Sequence, residues 1–179
     1  MFKSKINNKY RIVSTKTANF SFTYALPTTK HCSYISGELD GTPFLNITLT
    51  YPIPTVACVD RVSKITKAIP NGTVSKFYLW LFNELDLTVL LSSGRRSDDA
   101  ERFWEKLRSE GGIKKWKCVF KESFQKDDDA VYDFGGTQVT VKDRSDILWG
   151  LAKTEEDFAN QFKLNYMNPD EVPWDIIQC

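Results

Sequence analysis

The stretch "ACVDRVSKITKAIPNGTVSKFYLWL", residues 57–81, decides how the chain is read. Its first part continues "PIPTVACVDRV" (52–62), in which Val56, Cys58 and, across an offset, Val59 and Val62 read as a strand. The two prolines place the start of that strand after Pro54, because proline cannot donate to a sheet ladder. The period then changes. Val74, Phe77, Tyr78, Leu81 and Leu85 fall at i, i+3, i+4, i+7 and i+11, the stripe of an amphipathic helix. Pro70-Asn71-Gly72-Thr73 separates the two patterns, with Asn71 or Thr73 as the expected cap. A strand thus runs through a glycine turn into a helix.

Upstream, strand signals dominate. "NFSFTYAL" (19–26) alternates Phe20, Phe22 and Tyr24 onto one face. "CSYISGEL" and "PFLNITLTY" flank Asp40-Gly41-Thr42, a hairpin signal of the Asp-Gly type. In the second of these, Leu45, Ile47, Leu49 and Tyr51 form an oily face, and Phe44, Asn46, Thr48 and Thr50 the other. Downstream, "LTVLLS" (87–92) is a short, continuously apolar strand of the buried type. Ser97 is the expected N-cap of a second helix, with Asp98, Asp99 and Glu101 at the positive end of its dipole. Ala100, Phe103, Trp104 and Leu107 form its apolar face, and Gly111-Gly112 is read as its end. "KKWKCVFK" then reads as a strand with Trp116, Cys118 and Phe120 on one side and lysines on the other. "TQVTVK" is read as the last strand, and Thr154-Glu155-Glu156-Asp157 as a helix start with Phe158 and Phe162 on one face. The order predicts an α/β (α+β) chain: a single mixed, largely antiparallel sheet flanked by helices, in one domain over 1–179. Residues 163–179 end in "DEVPWDIIQC", apolar enough to serve as a docking tail.

Composition narrows the function classes. The 179 residues suffice for one domain with a real core. Lys plus Arg is 24 against 23 for Asp plus Glu, so no net field draws the chain to nucleic acid or anionic lipid. No apolar run reaches the length of a membrane span, and "MFKSKINNKY" lacks a signal peptide's apolar region. A soluble, cytoplasmic protein is expected. Cys32, Cys58, Cys118 and Cys179 are widely spaced, which fits free thiols rather than a metal site or disulfide framework. His31 is the sole histidine, and its neighbour Cys32 would point to the opposite face of a strand. A Cys–His catalytic pair is therefore not expected, nor is a bound metal.

With its punctuating residues, the order resembles a GNAT-type N-acyltransferase, in particular the divergent versions encoded by bacteriophages. The resemblance covers roughly 57–120: the stretch quoted first, then "LTVLLSSGRRSDDAERFWEKL" (87–107), a strand, a serine-containing turn and a helix bearing an aromatic-Trp pair. It implies an acyltransferase-like fold in which the helix N-terminus receives the pyrophosphate of acyl-CoA. Such an N-terminus leaves four amides unpaired and carries partial positive charge, which suits phosphate oxygens. By the match Gly72 stands at the family's central glycine, with Asn71, Thr73, Val74 and Ser75 around the cofactor and Lys67 and Lys76 near it.

The chain departs from the family's pattern at two places. The family carries Arg or Gln three residues before that glycine, where this chain has Ile69, and Gly or Ala two residues after it, where this chain has Val74. The expectation is therefore a catalytically degenerate relative that binds protein, as a phage accessory or virion-associated factor, without a cofactor. The alternative is an active acyl-CoA-dependent N-acyltransferase using acetyl-CoA. Asp60 is the candidate base and Tyr132 or Tyr78 the candidate acid, with Tyr78 on the buried face of its helix. Arg95, Arg96 and Trp80 are the candidate partner contacts: two guanidinium groups ahead of a helix and an indole off the apolar stripe.

Overall fold

The computed structural model describes residues 5–7, 10–17, 20–27, 32–66, 69–120, 126–133, 136–165 and 174–179. His31 and Lys67 lie outside the described residues. The chain forms two compact units, Met1–Leu87 and Thr88–Cys179.

The first unit is an antiparallel meander followed by a helix. Its strands are β1 (Lys5–Asn7), β2 (Tyr10–Thr17), β3 (Phe20–Pro27), β4 (Cys32–Leu39), β5 (Thr42–Ile53) and β6 (Val56–Lys64), each paired with the next in sequence. The Asp-Gly signal forms the β4–β5 hairpin as expected. Asp40 and Gly41 both adopt positive φ, 50° and 77°, and Leu39 pairs with Thr42. Such a turn matches the right-handed twist of the strands it joins. On β5, Leu45, Ile47 and Leu49 are buried as expected. Phe44, expected on the wet face, is buried as well. Its ring meets Phe77 edge-on at 5.2 Å, because the register shift after Gly37 turns this end of the strand.

The helix α1 (Thr73–Glu84) buries Phe77, Tyr78 and Leu81 of the expected stripe, and Leu79 and Phe82 beside them. Aromatic packing seats it. Phe77 lies 5.5 Å from Phe20, and Trp80 lies 5.6 Å from Phe20 and 5.5 Å from Phe22. Gly37 makes room: a Cβ there would come within 2.6 Å of the Phe77 ring.

The second unit holds two sheets and two helices. One sheet has the order β7 (Val89–Ser92), β12 (Ile147–Ala152), β9 (Lys114–Phe120), β13 (Trp174–Gln178), with antiparallel neighbours throughout. The other has the order β10 (Ala130–Asp133), β11 (Gln138–Asp143), β8 (Arg95–Arg96). The helices are α2 (Asp98–Lys106) and α3 (Glu155–Asn165). Ser97 caps α2 as expected, its Oγ accepting from Ala100 N–H at 3.2 Å. Thr154 does the same for α3, accepting from Asp157 N–H at 3.1 Å.

Four expectations are corrected here. The helix α2 stops at Lys106, and Gly111-Gly112 instead form the tight turn of positive φ that enters β9. Lys115 is buried within "KKWKCVFK", because its Nζ reaches back to accepting carbonyls of α2. β11 is not the last strand: "ILWGLA" forms β12 between β7 and β9, and "WDIIQ" pairs along β9. Asn71 and Thr73 do not cap α1, since Gly72 occupies that position.

Candidate functional site

The glycine turn forms at the start of α1. Gly72 takes φ 82°, ψ −8°, a left-handed conformation that glycine adopts without steric cost. It stands at the N-cap, where a side-chain oxygen ordinarily satisfies an orphan amide, and no side chain bonds there. Thr73 N–H donates to Pro70 O at 3.2 Å, and Lys76 N–H donates to Gly72 O at 3.0 Å to open the helix. No acidic residue occupies the first turn. Among the described residues nothing lies within 4 Å of where a Gly72 side chain would project. Asn71 and Lys76 are exposed, Val74 and Ser75 half-buried, and Thr73 buried. The turn therefore presents open, uncapped backbone, flanked by the half-buried branched side chain of Val74.

The proton-transfer candidates lie in three different settings. Tyr78 is buried in the core, and burial drives its hydroxyl far above the usual tyrosine range. Asp60 is exposed on β6, where it lines a groove with Cys32 and Tyr34 of β4. Tyr132 lies on β10 in the second unit, 43% exposed.

The partner candidates divide. Trp80 is half-buried in the aromatic cluster of α1, and its indole N–H is buried without an acceptor. Arg95 is on the surface, donating to Asp127 Oδ2 at 3.1 Å and Asp128 O at 2.8 Å. Arg96 is turned inward and only 3% exposed. Its Nε donates to Glu101 Oε2 at 2.6 Å and its Nη2 to Ile147 O at 2.8 Å, while Nη1 reaches Ser92 Oγ and Ser93 O. Burial pulls Arg96 below the usual guanidinium range, and Glu101 opposes that pull. Glu101 Oε1 also accepts from the Trp149 indole N–H at 2.9 Å, and Ser92 Oγ accepts from Trp149 N–H at 3.0 Å. The donors of Arg96 are thus consumed within the fold. Adjacent residues in a two-residue strand point to opposite faces, which sends Arg95 outward and Arg96 inward. An acid five residues after Arg96 and a tryptophan in "DILWG" were the sequence signals for this network, which reading by local surface charge passed over.

Around it lies an exposed set of ion pairs. Asp98 accepts from Lys142 at 3.2 Å and from Arg144, and these hold its carboxyl below the usual range. Asp143 accepts from the Ser145 hydroxyl and from the N–H groups of Ser145 and Asp127, which lowers its carboxyl to about 2. Among the described residues no cluster of three or more His, Cys, Asp or Glu is placed to hold a metal ion. No described helix is long and apolar enough to cross a membrane.

The molecule so built is a mixed α+β protein with largely antiparallel sheets flanked by helices. No family model matches the chain, and no curated protein matches it. Among solved structures it is similar to the crystal structure of a probable acetyltransferase, at 14% identity and a TM-score of 0.38. That match covers 69% of this chain and 63% of the other, so it spans less than two thirds of that protein's length.

Proposed function

We propose that this chain is an acyltransferase-like protein that acts by binding a protein partner rather than by acyl transfer. The observation that supports the reading is the environment of the two proton-transfer candidates of the first unit, Tyr78 and Asp60. N-acyl transfer needs a base for the amine and an acid for the leaving thiolate. Tyr78 is buried and held protonated, while Asp60 lines a groove whose β4 residues alternate with those that face α1. Val74 and Ile69 stand where the resemblance calls for a small and a polar residue. On this reading the candidate partner contacts are Arg95 in the second unit and, separately, the exposed part of Trp80 in the first. The chain then serves as an accessory or virion-associated factor of a phage in its host's cytoplasm, with no cofactor.

The second reading, an active acyl-CoA-dependent N-acyltransferase, draws on a specific feature: α1 begins uncapped, with no acid in its first turn and open space beside Gly72. That is the chemistry a pyrophosphate uses. Calorimetric titration of acetyl-CoA, with Gly72→Glu as control, separates the two. The binding reading expects no heat of association at about millimolar ligand, where a Kd of ordinary cofactor strength gives saturation. Saturable binding that Gly72→Glu abolishes overturns it in favour of the transferase.

A further inference from the structure

The hairpin of β10 and β11 is short of neighbouring strands. Its register pairs Ala130 with Val141, Val131 with Thr140, Tyr132 with Val139 and Asp133 with Gln138. The third strand of that sheet, β8, reaches only Lys142 and Asp143 of β11. Among the described residues β10 is therefore the edge of its sheet, and residues 130–141 form a ribbon of two strands. Such a ribbon is marginally stable in water by itself. An edge strand also offers its row of backbone N–H and C=O groups as a template for another strand.

The side chains along this edge follow a definite pattern. Val131 is 61% exposed, the most of any large apolar side chain among the described residues, and Tyr132 beside it is 43% exposed. Successive residues of a strand point to opposite faces. Ala130, Tyr132, Val139 and Val141 thus share one face, which is apolar. Val131, Asp133, Thr140 and Gln138 share the other. Asp129, two residues before Val131, extends the alternation on that face to Asp129, Val131, Asp133. Both aspartates are exposed. Asp133 Oδ1 accepts from Gly136 N–H at 2.7 Å, which uses one of its two oxygens. Residues 127–133 carry four aspartates and no basic residue, so the edge selects a cationic partner.

We propose that β10 receives an extended, arginine-bearing segment of a partner protein as an added antiparallel strand. Backbone hydrogen bonds hold such a strand, and the side chains opposite β10 choose it. One arginine opposite Asp129 and another opposite Asp133 each meet a carboxylate, with a β-branched residue between them against Val131. The matching pattern is Arg-x-Val-x-Arg. A second copy of β10 does not fit. Antiparallel pairing about Val131 would set Asp129 against Asp133 of the other copy, and like charges directly opposite destabilise a sheet. With 24 basic and 23 acidic residues in the whole chain, the selection is local to this edge. The proposal rests on the protein-binding reading and gives the partner a chemistry. The two are decided by different titrations: acetyl-CoA reads the glycine turn of the first unit, and a peptide reads an edge of the second.

The probe is the blocked peptide acetyl-Thr-Arg-Thr-Val-Thr-Arg-Thr-amide, titrated into the protein by calorimetry at neutral pH. It holds no amine, so its capture owes nothing to acyl transfer. The expected Kd is on the order of 0.1–1 mM, as suits a short, unstructured ligand. A peptide with glutamate at both arginine positions binds at least about tenfold more weakly. So does the peptide N-methylated at its valine and the following threonine, which removes a ladder donor in either phase. In the protein, Asp129→Asn combined with Asp133→Asn raises the Kd about tenfold. Asparagine keeps the Oδ1 acceptor for Gly136, and circular dichroism checks that the variant is folded. Hydrogen exchange of the β10 amides slows when the peptide is bound. Absence of saturation up to about 10 mM overturns the proposal. So does equal binding of either control peptide, an unchanged Kd in the double variant, or β10 exchange that the peptide leaves unaltered.

Discussion

At the scale of single residues, the buried pair Arg96–Glu101 carries the sharpest consequence. Its side chains are 2% and 12% exposed, and they tie β8, α2, β7 and β12 through one guanidinium. Removing one partner strands the other charge away from water, at a cost of about 3–5 kcal/mol. Arg96→Ala should lower the unfolding free energy by that amount in a urea titration. Adding Glu101→Gln removes the stranded charge and keeps a neutral acceptor for the Trp149 indole, so the double variant should be more stable than the single one. A double variant no better than Arg96→Ala would show that lost packing, not charge, sets the cost. Asp143 gives a pH-dependent counterpart. Its carboxyl is held at about 2, below the usual carboxylate value, by three donated hydrogen bonds. A depressed folded-state value means stability that is present above the unfolded pKa, near 3.9, and lost as pH falls through about 2. Asp143→Asn should therefore be less stable than the parent at neutral pH, and the two should converge between about pH 4 and pH 2. A stability gap unchanged over that window would sink the assignment.

At the scale of elements, α1 shows what a sequence pattern carries and what it leaves out. The stripe of Phe77, Tyr78 and Leu81 was legible because helical periodicity needs only one chain segment to be read. The seat of that helix was not. It depends on Gly37 on β4, separated from the helix in sequence by β5 and β6, whose missing side chain admits the Phe77 ring. Gly150 does the same for Phe158 in the second unit, where a Cβ would come within 2.5 Å of the ring. Pairings of this kind join distant residues and leave no local period. The same reason hid β12 and β13, whose partners lie far along the chain, and two bulges in the β5–β6 pair, which only register reveals. Local chemistry fared better: Ser97 as a cap and Asp40-Gly41 as a turn are set by residues in contact along the sequence. Of the candidate site, the position of the glycine turn was legible, while its capping and the inward turn of Arg96 were tertiary facts. Gly37→Ala should test the seat. Forcing a Cβ into the Phe77 ring should cost about 1–3 kcal/mol, the range for overpacking a well-filled core. Phe77→Leu in the same chain should return part of that loss in urea denaturation, since the smaller side chain yields the space. A Gly37→Ala variant as stable as the parent would mean the helix is free to shift.

Across the whole molecule, the near balance of 24 basic and 23 acidic residues leaves no long-range field to tune reactivity, so burial and close neighbours decide it. The four thiols make this visible. Cys118 is buried on β9, and burial, with Asp175 adding to it, pushes its thiol up to about 12. Cys58 on β6 is pushed up to about 11, by burial first and the Asp60 charge second. Cys179 is exposed at the end of β13, and Cys32 is half-buried at the edge of the groove. The thiolate is the reactive form, and each unit added to a thiol's pKa removes about nine-tenths of it at neutral pH. Timed alkylation of the native protein by iodoacetamide near neutral pH, followed by peptide mass spectrometry, should thus modify Cys179 first. Cys32 should follow, with Cys58 and Cys118 slower than Cys179 by about a hundredfold or more. In urea the four rates should come together, because unfolding removes the burial that separates them. Equal native rates for Cys118 and Cys179 would place the Cys118 side chain in contact with solvent, against its burial in the fold.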